Sequence, residues 1–220
     1  MVVYRLKKLN KGCENLKTKF LIVTCENDLN LSYYYDSFWL IGVERGCLDI
    51  ISKGYKIDFA ISDFDHVFDE ELDLIKQNSN EFIKLNNEKD FLDGKEAIQK
   101  AYELGATEVL MIAKPTKRLD MNFSLIDFCS KDRVKVFNEN SIMFCLQKGK
   151  NIIEFDKYQD YTYITFFPVH QTTITIKNLK YEVSDLMLLP YSTRAYSNCF
   201  VDHQDGIIKT DKAIIVIFNK

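Results

Sequence analysis

Phe59-Ala60-Ile61-Ser62-Asp63-Phe64-Asp65 is the stretch that decides the fold, because an apolar run gives way within it to two carboxylates. In an open α/β sheet, ligands bind at the edge formed by the carboxyl ends of the strands. Charged side chains meet apolar runs or helix starts in the same way near Glu44, Asp93 and Asp120. Four such junctions in succession predict one acidic pocket at the edge of a sheet.

The first half of the chain alternates between strand-like and helical patterns. Nearly continuous apolar character is typical of strands that are buried on both faces. Strands are predicted at 20–24, 38–43, 58–61, 81–85 and 107–112, and helices at 46–53, 69–78, 93–104 and 119–130. Alternation of this kind predicts an α/β domain with a mainly parallel sheet, placed at residues 1–133.

The pattern changes after residue 132. Strands are predicted at 134–137, 141–147, 151–155, 161–169, 172–176 and 213–218, with turn residues between the first three. The segment 172–177 alternates at period two, as a half-buried antiparallel strand does. We therefore expect a C-terminal all-β sandwich domain at residues 134–220.

Composition restricts the partners. Hydrophobic residues make up 46% and charged residues 28% of the chain, and the net charge is −3, so no basic surface suggests nucleic acid. No apolar run approaches the roughly 20 residues of a membrane span, and charges interrupt the N-terminus before a signal-peptide core. The six cysteines include no close pair of the kind that binds zinc. We expect a cytoplasmic protein with reduced thiols and no membrane partner.

Asp63 and Asp65 are the first candidate metal ligands. In extended backbone, positions i and i+2 project from the same face, so both carboxylates would reach one point while Phe64 packs on the other side. Two like charges held this close favour a cation between them, and Mg²⁺ prefers oxygen ligands. The alternative is a polar turn in which Asp65 caps the next segment.

Asp90 and Asp93 lie three residues apart at the start of a predicted helix. An acidic pair at this spacing resembles a capping box and suits the helix dipole. The functional alternative adds Lys89 as a point charge for phosphate. The two roles are compatible, because a helix N-terminus also favours phosphate oxygens.

Two further charged segments allow two interpretations each. Arg118, in the basic loop before the last helix of the first half, suits bidentate contact with phosphate. Otherwise the loop is solvated and Asp120 caps the helix. Glu44 and Arg45 belong to the same pocket or form a salt bridge with each other.

Taken together, these residues resemble those of the thiamine pyrophosphokinase family. The family segments read Gly-Val-Asp-Arg-Gly, Gly-Asp-Phe-Asp-Ser, Lys-Asp-x-Thr-Asp and Gly-Gly-Arg-Leu-Asp-His. The segments here are Gly42-Val43-Glu44-Arg45-Gly46, Ser62-Asp63-Phe64-Asp65-His66, Lys89-Asp90-Phe91-Leu92-Asp93 and Lys117-Arg118-Leu119-Asp120-Met121. Later segments similar to the family are Phe166-Phe167-Pro168-Val169, Asn178-Leu179-Lys180-Tyr181 and Ser197-Asn198.

The resemblance implies transfer of the pyrophosphoryl group of ATP to the hydroxyl of thiamine, giving thiamine diphosphate and AMP. It implies a homodimer with active sites at the interface. Carboxylates that would organise Mg²⁺ and the triphosphate are Asp63, Asp65, Asp90 and Asp93, with Asp120 near the nucleophile. Residues on the ATP side would be Lys89, Arg118, Glu44 and Arg45. Residues on the thiamine side would be Ser197, Asn198 and Tyr196.

Departures from the family pattern keep other hypotheses open. The acids are retained, whereas several neutral partners are replaced, at Ser62, His66, Leu92 and Met121. One alternative is a diphosphokinase for another hydroxymethyl heterocycle, such as a pterin. Another is a non-catalytic protein that binds thiamine or a nucleotide.

Overall fold

The computed structural model describes residues 17–86, 88 and 91–220. The chain folds as two compact units, of which the first ends at Lys114 and the second is Pro115–Lys220. This division falls earlier than the predicted boundary at 133/134. The reason is helix Leu119–Asp132, which contacts strands of the second unit. None of the helices in the described ranges is long and apolar enough to cross a membrane.

The first unit contains a parallel sheet. Its strands are β1 Lys19–Val23, β2 Phe38–Gly42, β3 Ile57–Ser62, β4 Ser79–Lys84 and β5 Glu108–Ile112, in the order β4-β3-β2-β1-β5. Every pair of neighbours in this set is parallel. The chain therefore steps outward from β1 to β4 and returns with β5 on the other side of β1. The carboxyl ends of the strands meet at one edge, where ligands of such sheets bind.

Helices connect these strands. They are α1 Ser32–Tyr35, α2 Gly46–Ser52, α3 Asp69–Gln77 and α4 Asp93–Glu103. Helix α4 buries Ala97, Ile98 and Ala101, which recur at helical spacing and so form one apolar face. The predicted alternation of strands and helices is confirmed. Helix α1 has four residues, too few for a periodic pattern to reveal it.

The second unit begins with helix α5 Leu119–Asp132 and continues as two antiparallel sheets. Its other elements are β6 Lys135–Phe137, β7 Ser141–Leu146, β8 Gly149–Ile153, α6 Phe155–Tyr158, β9 Tyr163–Phe167, β10 Thr172–Lys177, β11 Val183–Leu188, β12 Gly206–Thr210 and β13 Ile214–Asn219. Within this unit the strand orders are β6-β7-β13-β9 and β11-β10-β12-β8. The C-terminal β-architecture is confirmed, although the unit also carries α5.

A single apolar core joins the two sheets of the second unit. Phe166 and Phe218 from one sheet share this cluster with Ile174 and Ile208 from the other, and all four are fully buried. Such interdigitation of two inner faces is what makes a sandwich. Strands β11 and β12 were not predicted. In β11 the pairing register with β10 shifts and Asp185 has φ 49°, so its side chains do not alternate cleanly.

Candidate active site

Ser62, the last residue of β3, lies at the centre of the acidic edge. Its side chain is fully buried, and its Oγ lies 2.8 Å from Asp93 Oδ2 at the start of α4. The same hydroxyl makes a short hydrogen bond to Glu44 Oε1, which follows β2. One hydroxyl therefore joins carboxylates from two other segments of the first unit. Sequence reasoning placed Ser62 only as a substituted position, since a serine at a strand end carries no distinctive signal.

Phe64 lies between the two aspartates of the loop that follows β3. Phe64 has φ 57°, is buried, and stacks on Phe82 with ring centroids 4.8 Å apart. Because Phe64 is left-handed rather than extended, Asp63 and Asp65 do not occupy alternate positions of a strand. The expected apolar anchoring by Phe64 is confirmed, but the extended geometry was wrong.

Two groups of potential metal ligands share Glu44. Glu44, Asp63 and Asp93 form one group, and Glu44, Asp65 and His66 form the other; within each, the ligand atoms lie within 4.8 Å of one another. His66 Nδ1 also makes a short contact with Asp65 Oδ1. Glu44 is therefore the residue common to both groups, although sequence reasoning placed it on the nucleotide side.

Glu44 is held in a setting that favours a nearby cation. Its Oε2 is buried and has no hydrogen-bond partner among the described residues. Burial is the main cause that raises the pKa of Glu44 above its ordinary value. The Ser62 hydroxyl and the Phe64 backbone oppose it, and the charges of Asp63 and Asp65 add to it. Clustered carboxylate oxygens, one of them unsatisfied, are a donor set that fits a hard divalent cation such as Mg²⁺.

Arg45 does not pair with its neighbour Glu44. Its guanidinium instead makes two hydrogen bonds of 3.1 Å to the carboxylate of Glu71 in α3. It also donates to the carbonyl oxygen of His66 at 3.4 Å. Glu71 in turn accepts the backbone N–H of Phe68 at 3.0 Å. Arg45 and Glu71 thus hold the loop that carries the aspartates. Sequence reasoning missed Glu71 because it lies on an exposed acidic helix start.

The N-terminus of α4 does not have the capping box that the spacing of Asp90 and Asp93 suggested. The N-cap position is Leu92, which makes no side-chain cap hydrogen bond, and Asp93 is the first helical residue. The carboxylate of Asp93 reaches Ser62 across the sheet edge, as described above. Lys89 and Asp90 lie outside the described residues.

The loop before α5 is ordered by its own hydrogen bonds. Asn122 Oδ1 accepts the N–H of Thr116 at 2.7 Å, and its Nδ2 donates to the Thr116 carbonyl at 2.9 Å. Arg118 is the N-cap residue of α5, so the alternative in which Asp120 holds that position is wrong. Arg118 and Asp120 are exposed and form an ion pair, and the hydrogen bond from Arg118 lowers the pKa of Asp120.

Asn198 in the second unit is buried, and its amide is engaged by the backbone of Tyr181. Its Oδ1 accepts the Tyr181 N–H at 3.0 Å, and its Nδ2 donates to the Tyr181 carbonyl at 2.9 Å. Backbone hydrogen bonds of 2.7 and 2.8 Å join Asn198 to Ile164. Asn198 therefore fixes the local backbone, whereas the preceding Ser197 is exposed and has φ 56°.

Aromatic rings lie beside this segment. The ring of Phe167 is 6.0 Å from that of Tyr191 and 6.5 Å from that of Tyr196, centroid to centroid. Tyr191 is 67% exposed and Tyr196 39% exposed, so both present surface to solvent. Partial burial raises the pKa of the Tyr196 hydroxyl.

Two family models match this sequence. The model described as thiamin pyrophosphokinase, catalytic domain, matches residues 32–138, and the one described as thiamin pyrophosphokinase, vitamin B1 binding domain, matches residues 150–215. This chain belongs to the thiamin pyrophosphokinase family. A search of curated protein sequences finds no match.

Solved thiamin pyrophosphokinases have the same fold. A family protein from Enterococcus faecalis aligns with a TM-score of 0.81 at 22% identity, covering 92% of this chain and 99% of that chain. Thiamine pyrophosphokinase from Bacillus subtilis gives 0.81 at 21% identity, with the same coverage. The enzyme from Candida albicans gives 0.77 at 14% identity, covering 92% of this chain and 89% of that chain.

The thiamin pyrophosphokinase matches divide the candidate residues between two regions. Glu44, Asp63 and Asp93, together with Arg118, fall within the catalytic-domain match, and Ser197 falls within the vitamin B1 binding match. The acidic groups around Ser62 thus belong to the region that the family assigns to catalysis. Asn198 belongs to the vitamin-binding match, where its amide holds the backbone of Tyr181.

Proposed function

We propose that this protein transfers the pyrophosphoryl group of ATP to the hydroxyl of thiamine, producing thiamine diphosphate and AMP. The observation that carries the proposal is the set of carboxylates gathered around Ser62, with an unsatisfied buried oxygen on Glu44. This set lies in the region matched by the thiamin pyrophosphokinase catalytic model, and a vitamin B1 binding region follows it.

Mg²⁺ is the proposed cation. Asp63 and Asp93 would hold it together with Glu44, and Asp65 would contribute from the second group that contains Glu44. Asp90 is proposed to join them, as the family resemblance implies. When bound there, the cation would supply positive charge to offset the negative charge that develops during transfer of the pyrophosphoryl group. The side chains contribute by holding the triphosphate in line with the attacking hydroxyl.

The reaction forms a bond between the thiamine hydroxyl oxygen and the β-phosphorus of ATP. The bond from that phosphorus to the α-phosphate oxygen breaks, and AMP leaves with that oxygen. Lys89 and Arg118 are proposed to contact phosphate, and Arg45 to hold the loop of Asp63 and Asp65.

The hydroxyl proton passes to a carboxylate or to water. Asp120 or Asp93 is the carboxylate proposed for this role, although the hydrogen bond from Arg118 lowers the pKa of Asp120 and so makes it a weaker base.

On the acceptor side, Ser197 is proposed to contact thiamine through its exposed hydroxyl, with Tyr196 against a thiamine ring. A cationic thiazolium ring is attracted to an aromatic face. Asn198 takes part by holding the backbone next to Ser197.

A homodimer in the cytoplasm is proposed as the working form. The dimer rests on the family resemblance, and light scattering on the purified protein would test it. The five cysteines among the described residues are all free, which suits a reducing compartment.

The deciding experiment is AMP release from Mg-ATP with and without thiamine, with the product identified by mass. Thiamine-dependent AMP and a diphosphate product are expected. Asp63→Asn is expected to reduce turnover strongly, because one ligand of the cation is lost. Unchanged turnover in that variant would contradict the metal role of Asp63.

Two other outcomes would replace this proposal. AMP release that depends on a pterin and not on thiamine would identify a diphosphokinase for another hydroxymethyl heterocycle. Thermal stabilisation by thiamine without AMP release would identify a non-catalytic binding protein. The replaced residues at Ser62, His66, Leu92 and Met121 are the positions to restore in that case.

A further inference from the structure

Ser62 and Glu44 both differ from the family pattern, and their side chains contact each other. Glu44 is one methylene longer than the aspartate of the family segment, and Ser62 adds a hydroxyl where that pattern has glycine. In this structure the added hydroxyl and the lengthened carboxylate are hydrogen-bonded to each other. The two departures are thus in direct contact inside the proposed cation site.

The Ser62 hydroxyl lies where it can fix the orientation of two carboxylates. It is fully buried, so water does not compete for its hydrogen bonds. It contacts Glu44 Oε1 and lies 2.8 Å from Asp93 Oδ2, which belong to different segments. A glutamate has three side-chain torsions, and fixing them before a cation arrives lowers the entropy lost on binding.

We infer that Ser62 is a positioning residue that compensates for the longer side chain of Glu44 and orients Glu44 and Asp93 for a divalent cation. The inference rests on the proposed function, whose metal site it describes in more detail. A glutamate without this anchor samples other rotamers, and its carboxylate leaves the position near Asp93. An aspartate at position 44 ends one methylene short of the hydroxyl, so it suits a glycine at position 62.

The test measures Mn²⁺ affinity of the whole protein without nucleotide, after removal of metal, from the electron paramagnetic resonance signal of free Mn²⁺. Loss of a residue that orients metal ligands typically weakens affinity about 10- to 100-fold, and Ser62→Ala is expected to fall in that range. Ser52→Ala is the matched control, because its hydroxyl bonds to the Asp49 carbonyl within α2. The control is expected to bind Mn²⁺ as the wild type does.

A reciprocal exchange separates positioning from a general structural role. Ser62→Gly and Glu44→Asp are each expected to weaken Mn²⁺ binding, and the double variant is expected to bind more tightly than either single variant. Losses that simply add in the double variant would overturn the inference. So would a Ser62→Ala variant with wild-type affinity.

Two results distinguish a wrong role for Ser62 from a wrong proposed function. Unchanged Mn²⁺ binding in Ser62→Ala, with thiamine-dependent AMP release intact in the wild type, overturns the role of Ser62 alone. A wild-type protein that binds no Mn²⁺ overturns the metal site and the inference together. Urea unfolding of each variant in chelator confirms that a change in affinity does not reflect loss of fold.

Discussion

Arg45 and Glu71 form an ion pair through two hydrogen bonds of 3.1 Å, although they lie on different segments of the first unit. Arg45 donates to the His66 carbonyl and Glu71 accepts the Phe68 N–H, so the pair holds the part of the loop that leads into α3. That loop contributes Asp65 to one of the proposed ligand groups. Arg45 therefore has a task that does not require contact with nucleotide.

Substitution of either member of this pair is expected to disturb metal binding. Arg45→Lys cannot make the paired hydrogen bonds, and Glu71→Gln keeps an acceptor for Phe68 but loses the charge. Each is expected to weaken Mn²⁺ affinity about tenfold, as is typical for partners that orient metal ligands. The double variant is expected to lose no more than one single variant does. If Arg45→Lys raised the KM for ATP while Glu71→Gln left it unchanged, direct contact with nucleotide would be the better account of Arg45.

Gly46, the first residue of α2, is expected to tolerate no side chain. A Cβ there would lie 2.0 Å from the carbonyl oxygen of Val23, a distance that only a backbone shift would relieve. Overpacking of this kind lowers the free energy of unfolding by about 3 kcal/mol, and we expect that loss for Gly46→Ala in urea unfolding. Gly54→Asn is the control, because Gly54 has φ +81° and open space around it. A stable Gly46→Ala variant would show that β1 and α2 can separate.

Asn198 is expected to matter more for stability than for thiamine binding. Asn198→Ala removes the partner of both Tyr181 backbone groups. The two hydrogen bonds are partly buried, and each contributes about 0.5–1.5 kcal/mol to stability. We therefore expect the free energy of unfolding to fall by about 2 kcal/mol in total. Asn151→Ala, which removes a partly exposed amide bonded to the Gln147 and Gly149 carbonyls but to no backbone N–H among the described residues, should have a smaller effect. A large rise in the KM for thiamine without loss of stability would instead make Asn198 a direct ligand.

The partly buried carboxylate of Asp58 is expected to make the free energy of unfolding depend on pH. Burial raises its pKa above the ordinary value, although its carboxylate accepts hydrogen bonds from Leu40 N–H at 2.9 Å and from Asn80 at 3.1 Å. An acid whose pKa is higher in the folded state binds its proton more tightly there. Its ionisation therefore lowers stability as the pH rises from the unfolded pKa through the raised folded pKa.

Asp58→Asn removes this ionisation while keeping an acceptor for Leu40. The stability of the variant relative to wild type is expected to grow as the pH rises from about 4, where an unperturbed aspartate titrates, and to level off above the raised pKa. Urea midpoints measured from pH 4 to 8 test this. A flat difference for Asp58→Asn would show that its two hydrogen bonds offset burial fully.

The strands and helices of the first unit could be predicted because their patterns are strong and local. β1 and β2 are continuous apolar runs, and α4 repeats its apolar residues at helical spacing. The sequence does not indicate that the second compact unit begins before α5, because the residues of α5 do not reveal which strands it will contact. Strand β11 was missed since a shift in register and a left-handed Asp185 break its alternation.

The acidic edge was predicted from its carboxylates, but its geometry was not. No local pattern predicts the left-handed backbone conformation of Phe64, since few residues other than glycine, asparagine and aspartate adopt it. The ion pair of Arg45 with Glu71 joins residues 26 positions apart, so only the tertiary structure reveals it. The contact between Ser62 and Glu44 likewise depends on how β2 and β3 end side by side.

Tyr196 offers a test of the acceptor side that leaves the carboxylates unchanged. Its ring lies 6.5 Å from that of Phe167, centroid to centroid, and keeps 39% of its surface exposed. A cation on an aromatic face gains about 1–2 kcal/mol, so Tyr196→Ala is expected to raise the KM for thiamine roughly tenfold and leave the KM for ATP unchanged. Tyr196→Phe keeps the ring and should bind thiamine nearly as wild type does. Tyr163→Ala, another exposed tyrosine of the second unit, is the control. Equal effects of Tyr196→Ala and Tyr196→Phe would assign the contact to the hydroxyl, and no effect of either would remove Tyr196 from the thiamine side.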